Sequence, residues 1–145
     1  MIVWVFIAIL SGTALAVQAG CNSVLSRAVG GPITAALVSF CCGTLALGAL
    51  FFSPLVRQSH ASLAHLPWWA WGGGVLGAIF VAGSAAAAPR LGAAGMVAVI
   101  LAAQLCVAVI LDHFALVGFS SRPVTVSRFV GVLLLLAGTF FIRRS

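Results

Sequence analysis

From Leu91 to Gly118 the chain reads LGAAGMVAVILAAQLCVAVILDHFALVG, and this stretch limits what can be built around it. About 20 consecutive apolar residues cross a bilayer as a helix, and this run is longer. Yet it carries Gln104 near its middle and Asp112 toward its end, and Asp112 is the only acidic residue in the protein. Residues four and eight apart share a helix face, so Gln104, Ala108 and Asp112 fall on one stripe. Lipid offers such groups no hydrogen-bond partner, and an ionised side chain is costlier still. The stripe is expected to face other helices or a wet cavity, and it is the first candidate for function.

Composition extends this reading to the whole chain. Of 145 residues, 63% are hydrophobic and 6% charged, where a soluble domain has about a quarter charged. This is the make-up of an integral membrane protein. All seven basic residues are arginine: Arg27, Arg57, Arg90, Arg122, Arg128, Arg143 and Arg144. They lie between apolar runs, at the level of anionic headgroups, so the net charge of +6 is assigned to the membrane and not to nucleic acid. Cys41 and Cys42 are adjacent, while Cys21 and Cys106 are isolated in apolar runs. No ligand spacing exists among them, and neither a metal nor a cofactor is expected. Without a lysine-bearing phosphate loop, an ordered Ser/His/Asp set or an acid pair, no enzyme is expected and no catalytic residue is named.

The pattern predicts an all-α membrane protein of five transmembrane helices in a single transmembrane domain, 1–145, with helices at about 2–24, 33–52, 68–88, 91–115 and 124–142. Strand alternation of the barrel type is absent. The first run lacks the basic start of a signal peptide and reads as a retained helix. Gly30–Pro32 turns the chain into the second run, and Pro54 closes that run. A polar loop follows, with Arg57, Gln58, Ser59, His60, Ser62 and His65. Pro67 opens the third run, whose Trp68, Trp69 and Trp71 suit a membrane interface. A tight turn is expected at Pro89-Arg90, and a short loop through Ser120 to Pro123 precedes the last run.

Five spans place Arg57, Arg122 and Arg128 on one side and Arg27, Arg90, Arg143 and Arg144 on the other. Orientation follows the excess of basic residues in cytoplasmic segments, and here there is almost none. A chain that inserts both ways up shows this balance; chance in a small protein produces it too.

Few polar side chains remain inside the spans. Gln18 and Asn22 form a second stripe, with Ser26 one turn further. Their amides either bind a polar substrate or bond neighbouring helices. Gln104 lies near the midplane, where transporter sites occur. Asp112 and His113 are candidates for gating or coupling; the alternative for Asp112 is a structural pair with Arg122 or Arg128, or a cap on loop backbone. Arg90 reads as a membrane anchor. No other acid occurs in the spans, which favours a neutral or anionic solute, or transport not coupled to a carboxylate. Gly73, Gly77, Gly131 and Gly138 sit at spacings for helix packing or a dimer contact.

Several segments together resemble the YdcZ family of small bacterial inner-membrane proteins, in the drug/metabolite transporter superfamily. They are Gln18–Arg27 (QAGCNSVLSR), Gly31-Pro32 with Ala35-Ala36, Trp71–Gly77 (WGGGVLG), Pro89–Ala94 (PRLGAA), Gln104, Asp112-His113-Phe114, and Gly131 with Gly138. Ala115 departs from the pattern, where glycine is expected. The resemblance implies a five-span half-transporter, some relatives being pairs or ten-span fusions of inverted halves. It therefore implies a multi-pass inner-membrane protein acting as an antiparallel, dual-topology homodimer, with membrane lipids and a small-molecule substrate as its other partners. The last helix also resembles that of small multidrug resistance proteins. The glutamate those proteins carry in their first helix has no counterpart here, where Gln18 and Asn22 stand instead. The expected function is alternating-access transport of a small polar, neutral or anionic solute, bound by Gln18, Asn22 and Gln104. The alternatives are a small dual-topology ion channel and a non-transporting accessory membrane protein.

Overall fold

The structure is a computed structural model that describes residues 2–53 and 67–144. The closing Pro54 and the polar loop residues Arg57, Gln58, Ser59, His60, Ser62 and His65 lie outside the described residues. Among the described residues four α-helices make up the fold: α1 (Ile2–Ala28), α2 (Pro32–Phe51), α3 (Gly73–His113) and α4 (Val126–Arg144). Each is long and apolar enough to cross a membrane. Large apolar side chains such as Ile2, Trp4, Phe6, Leu45 and Leu134 are exposed along them, as spans that meet lipid require.

The chain divides into two compact units, one ending at Arg90 and the other starting at Leu91. In the first, α1 runs to Ala28, past the end near residue 24 that its apolar run suggested. It stops where Gly30 takes a φ of 83° and the Gly31 N–H donates to the Ser26 carbonyl over 2.9 Å. That is the Schellman arrangement, in which a left-handed glycine lets the chain bond back over the last turn. Pro32 then starts α2, where its missing N–H costs nothing. The two helices pack through small side chains, with Ala19, Ala35 and Ala36 buried. Apolar surface gains nothing by leaving lipid, so close approach between small residues supplies the attraction. Trp68–Gly72 form a 3-10 turn behind Pro67, with all three tryptophans exposed, and α3 begins at Gly73. Further along α3, Gly77 faces Phe40 of α2, and a Cβ at Gly77 would lie 3.2 Å from that ring.

At 1.5 Å per residue, the 41 residues of α3 would extend about 62 Å, twice the hydrocarbon core of a bilayer. α3 is in fact two helical arms that meet at a kink. Pro89 removes a donor and Gly92 leaves helical geometry altogether, with φ 69° and ψ 164°. The interruption falls a little beyond the turn expected at Pro89-Arg90.

In the second unit, α3 and α4 are tied at two levels. The Thr139 hydroxyl donates to the carbonyls of Ala98 (3.3 Å) and Leu135 (2.9 Å). At the other end Arg128 reaches Asp112. Arg128, Val132, Leu135 and Thr139, spaced by four, three and four, are the half-buried positions of α4. The link between the two helices bends through Ala115 (φ 51°) and Val117 (φ 54°), both in the left-handed region.

These backbone torsions give predictions of opposite sign. Only glycine occupies the Gly92 region easily, so Gly92→Ala should cost about 1–3 kcal/mol, although open space surrounds the position. Gly83→Ala, in regular helix with equal space, should not destabilise. Ala115→Gly should stabilise by about 1 kcal/mol by relieving left-handed strain. Unfolding of the three variants in detergent, compared with the native chain, reads all three signs.

Candidate functional site

The second unit presents a groove of about 370 Å³ on the last arm of α3. Gln104, Ala108 and Asp112 run along it, with Val107, Leu111 and Phe119 completing the wall. The stripe expected from spacing is thus one continuous surface. Its direction is informative. Gly95, Ala98 and Ala102 form the buried side of this arm, and at 100° per residue Gln104 points nearly the opposite way. Gln104 is exposed. Its amide is therefore turned away from its own helix neighbours, in a zone where lipid cannot hydrogen-bond it.

Asp112 closes one end of the groove, and much of its surroundings bond to it. Its carboxylate lies 3.4 Å from Nη1 of Arg128, the two side chains being 30% and 32% exposed. The same nitrogen donates to the carbonyl of Arg122 over 3.2 Å. The N–H of Arg122 donates to the backbone carbonyl of Asp112 over 2.8 Å. Next to this, His113 accepts the N–H of Val124 on Nδ1 at 3.4 Å, and its ring stands edge-on to Phe114. Thr125 caps α4, its hydroxyl accepting the Arg128 N–H at 3.3 Å. Of the two arginines considered for Asp112, Arg128 provides the ion pair, while Arg122 contributes backbone. Asp112 and His113 together fasten the link between α3 and α4.

Gln18 and Asn22 belong to the first unit. Gln18 is exposed on α1. Asn22 is only 2% exposed, and among the described residues its Nδ2 has no partner. A covered amide donor left unmet costs about 1–3 kcal/mol. Ser23, beside it, is buried as well. Spacing alone did not single out Ser23; the signal is the run Leu15, Ala19, Asn22, Ser26, whose heptad spacing marks the packed face of α1. Phe119, which walls the groove, has no sequence signal at all. A further groove between α2 and α3, with Ile33, Phe40 and Ile79 in its walls, is apolar and offers a solute no polar contact.

Among the described residues no atom lies within 4 Å of where a Cβ would sit on Gly73, Gly131 or Gly138. These glycines are thus uncovered, whereas Gly77 meets Phe40. Among the described residues no group of three His, Cys, Asp or Glu side chains gathers to hold a metal.

A chain that is all-helical among its described residues, with several helices long and apolar enough to span and a largely apolar groove that carries Gln104 and Asp112, is a multi-pass membrane protein. The family described as "Putative inner membrane exporter, YdcZ" matches residues 3–141, and the chain belongs to that family. It is accordingly an inner-membrane protein of a transporter family. No curated protein and no solved structure matches the chain.

The Asp112–Arg128 contact gives a measurable coupling. Asp112→Asn and Arg128→Gln should each destabilise the detergent-solubilised protein. The double variant should cost less than their sum by about 1 kcal/mol. Strict additivity would mean that the two side chains do not pair.

Proposed function

We propose that the protein is a half-transporter that works as an antiparallel homodimer, moving a small polar, neutral or anionic solute by alternating access. The two arms of α3 cross the membrane separately, giving five spans per chain. Two copies, one inverted, form the transport path, and Gln18, Asn22 and Gln104 are the residues assigned to contact the solute. The solute exchanges between two equivalent, inverted conformations. Asp112, held by Arg128, secures one end of the path and gates it with His113. Gly131 and Gly138 serve contact between helices of the two copies.

The exposed Gln104, on the side of its helix opposite the buried alanines, carries this reading. An amide in the middle of a span is tolerated if it faces water or a partner and is costly if it faces lipid. The unmet Asn22 amide supports a ligand with an acceptor group. The chain's one carboxylate is engaged by an arginine, which leaves no free acid in the spans for a cation to displace. That supports a neutral or anionic solute.

Water access at Gln104 tests the proposal without knowledge of the solute. With Cys21, Cys41, Cys42 and Cys106 replaced by serine, Gln104→Cys should react with a membrane-impermeant maleimide in intact membranes. Its rate should come within about tenfold of a loop cysteine at Ser121→Cys, since thiol reactivity requires the thiolate in water. No labelling, with the variant folded, would place Gln104 against lipid and remove the site.

A further inference from the structure

Arg143 and Arg144 end α4 without an acidic side chain to answer them. The sequence has one, Asp112, for seven arginines, and Arg128 holds it. Arg128 and Arg144 are separated by about 24 Å along α4 at 1.5 Å per residue. Their counter-charge must come from outside the chain's own side chains.

The structure supplies a place for it. Arg143 and Arg144 border a groove of about 500 Å³, together with Val99, Leu136, Thr139 and Phe140. The groove is polar at one end and apolar at the other. The guanidinium of Arg144 stands 5.9 Å over the Phe140 ring, a cation–π contact that holds it beside the apolar wall. Thr139 spends its hydroxyl on the Ala98 and Leu135 carbonyls, which fixes α4 against α3 and keeps the groove's floor in place. From Arg143 to Leu136 the apolar wall runs about 10 Å into the span.

We infer that this groove binds an anionic phospholipid. Arg143 and Arg144 hold the phosphodiester through charge-assisted hydrogen bonds, a geometry suited to guanidinium. One acyl chain lies along Leu136 and Val99. A free phosphate satisfies the arginines equally but leaves the apolar wall unused, which is why a lipid is the occupant. Basic pockets between spans are recognised sites for such headgroups.

Native mass spectrometry of the full-length protein, purified in detergent, tests this. The probes are phosphatidylglycerol, phosphatidylcholine with the same acyl chains, and inorganic phosphate. Phosphatidylglycerol should bind about tenfold more tightly than phosphatidylcholine, and equimolar inorganic phosphate should not displace it. Arg143→Gln with Arg144→Gln should abolish the preference, and lysine at both positions should keep part of it. Arg27→Gln, an exposed arginine at the end of α1, should leave it unchanged. Equal binding of the two lipids, a preference that survives the double glutamine variant, or a preference lost with Arg27→Gln would overturn the proposal. Displacement by inorganic phosphate would overturn it too, by showing that the site is made for the free ion. Should the double glutamine variant fail to fold, the lipid comparison and the phosphate competition on the native protein decide alone.

Discussion

The contact between Asp112 and Arg128 is the interaction on which the second unit depends. A span can carry an acid only where something neutralises or solvates it, and this chain has a single acid. Placed one residue before the end of α3, it recruits the first turn of α4, while its backbone carbonyl accepts the Arg122 N–H and the Arg128 guanidinium donates to the Arg122 carbonyl. The result is a hairpin whose outer end is fastened by charge and whose other end is fastened by Thr139 on Ala98. Between those ties the face bearing Gln104 is left open. The acid thus anchors one edge of the groove and leaves the stripe bearing Gln104 exposed beside it.

Much of this was legible from residue spacing. The stripe from Gln104 to Asp112 follows from helical period alone, whereas an arginine partner for Asp112 is one alternative beside a cap on loop backbone and a gating or coupling role. Spacing left Arg122 and Arg128 as alternatives because both follow Asp112 by a short link. The structure separates them through Thr125, which starts α4 so that Arg128 lies on its inner face. Other features depended on backbone torsions that residue types do not announce. Alanine favours helix, so nothing in its own chemistry marked Ala115 as a left-handed stop; only the expectation of glycine there, from the family resemblance, pointed to it. The covered amide of Asn22 depends on how α2 packs through Ala35 and Ala36, a contact between residues that period reasoning on α1 alone does not reach.

Gly92 joins the two themes. Its torsions are those that other residues avoid, and they fall where one long apolar run would otherwise outgrow the bilayer. With the two arms crossing separately, as proposed, the arginines fall almost evenly on the two sides, and that balance is the basis for proposing that two copies meet in opposite orientations. The unmet groups then have a common explanation. In the proposed assembly the Asn22 amide and the exposed Gln104 would meet a solute, the uncovered glycines of α4 a helix of the second copy, and Arg143 and Arg144 a lipid phosphate.

Membrane orientation tests the central claim of an inverted pair most directly. Reporters active only in the cytoplasm or only in the periplasm, each fused after Ser145 and expressed in cells lacking any relative, would reveal how the chain inserts. Comparable signal from both is the result the inverted homodimer predicts. Signal from one reporter alone would contradict it, and the arginine balance would then be a coincidence of a small protein.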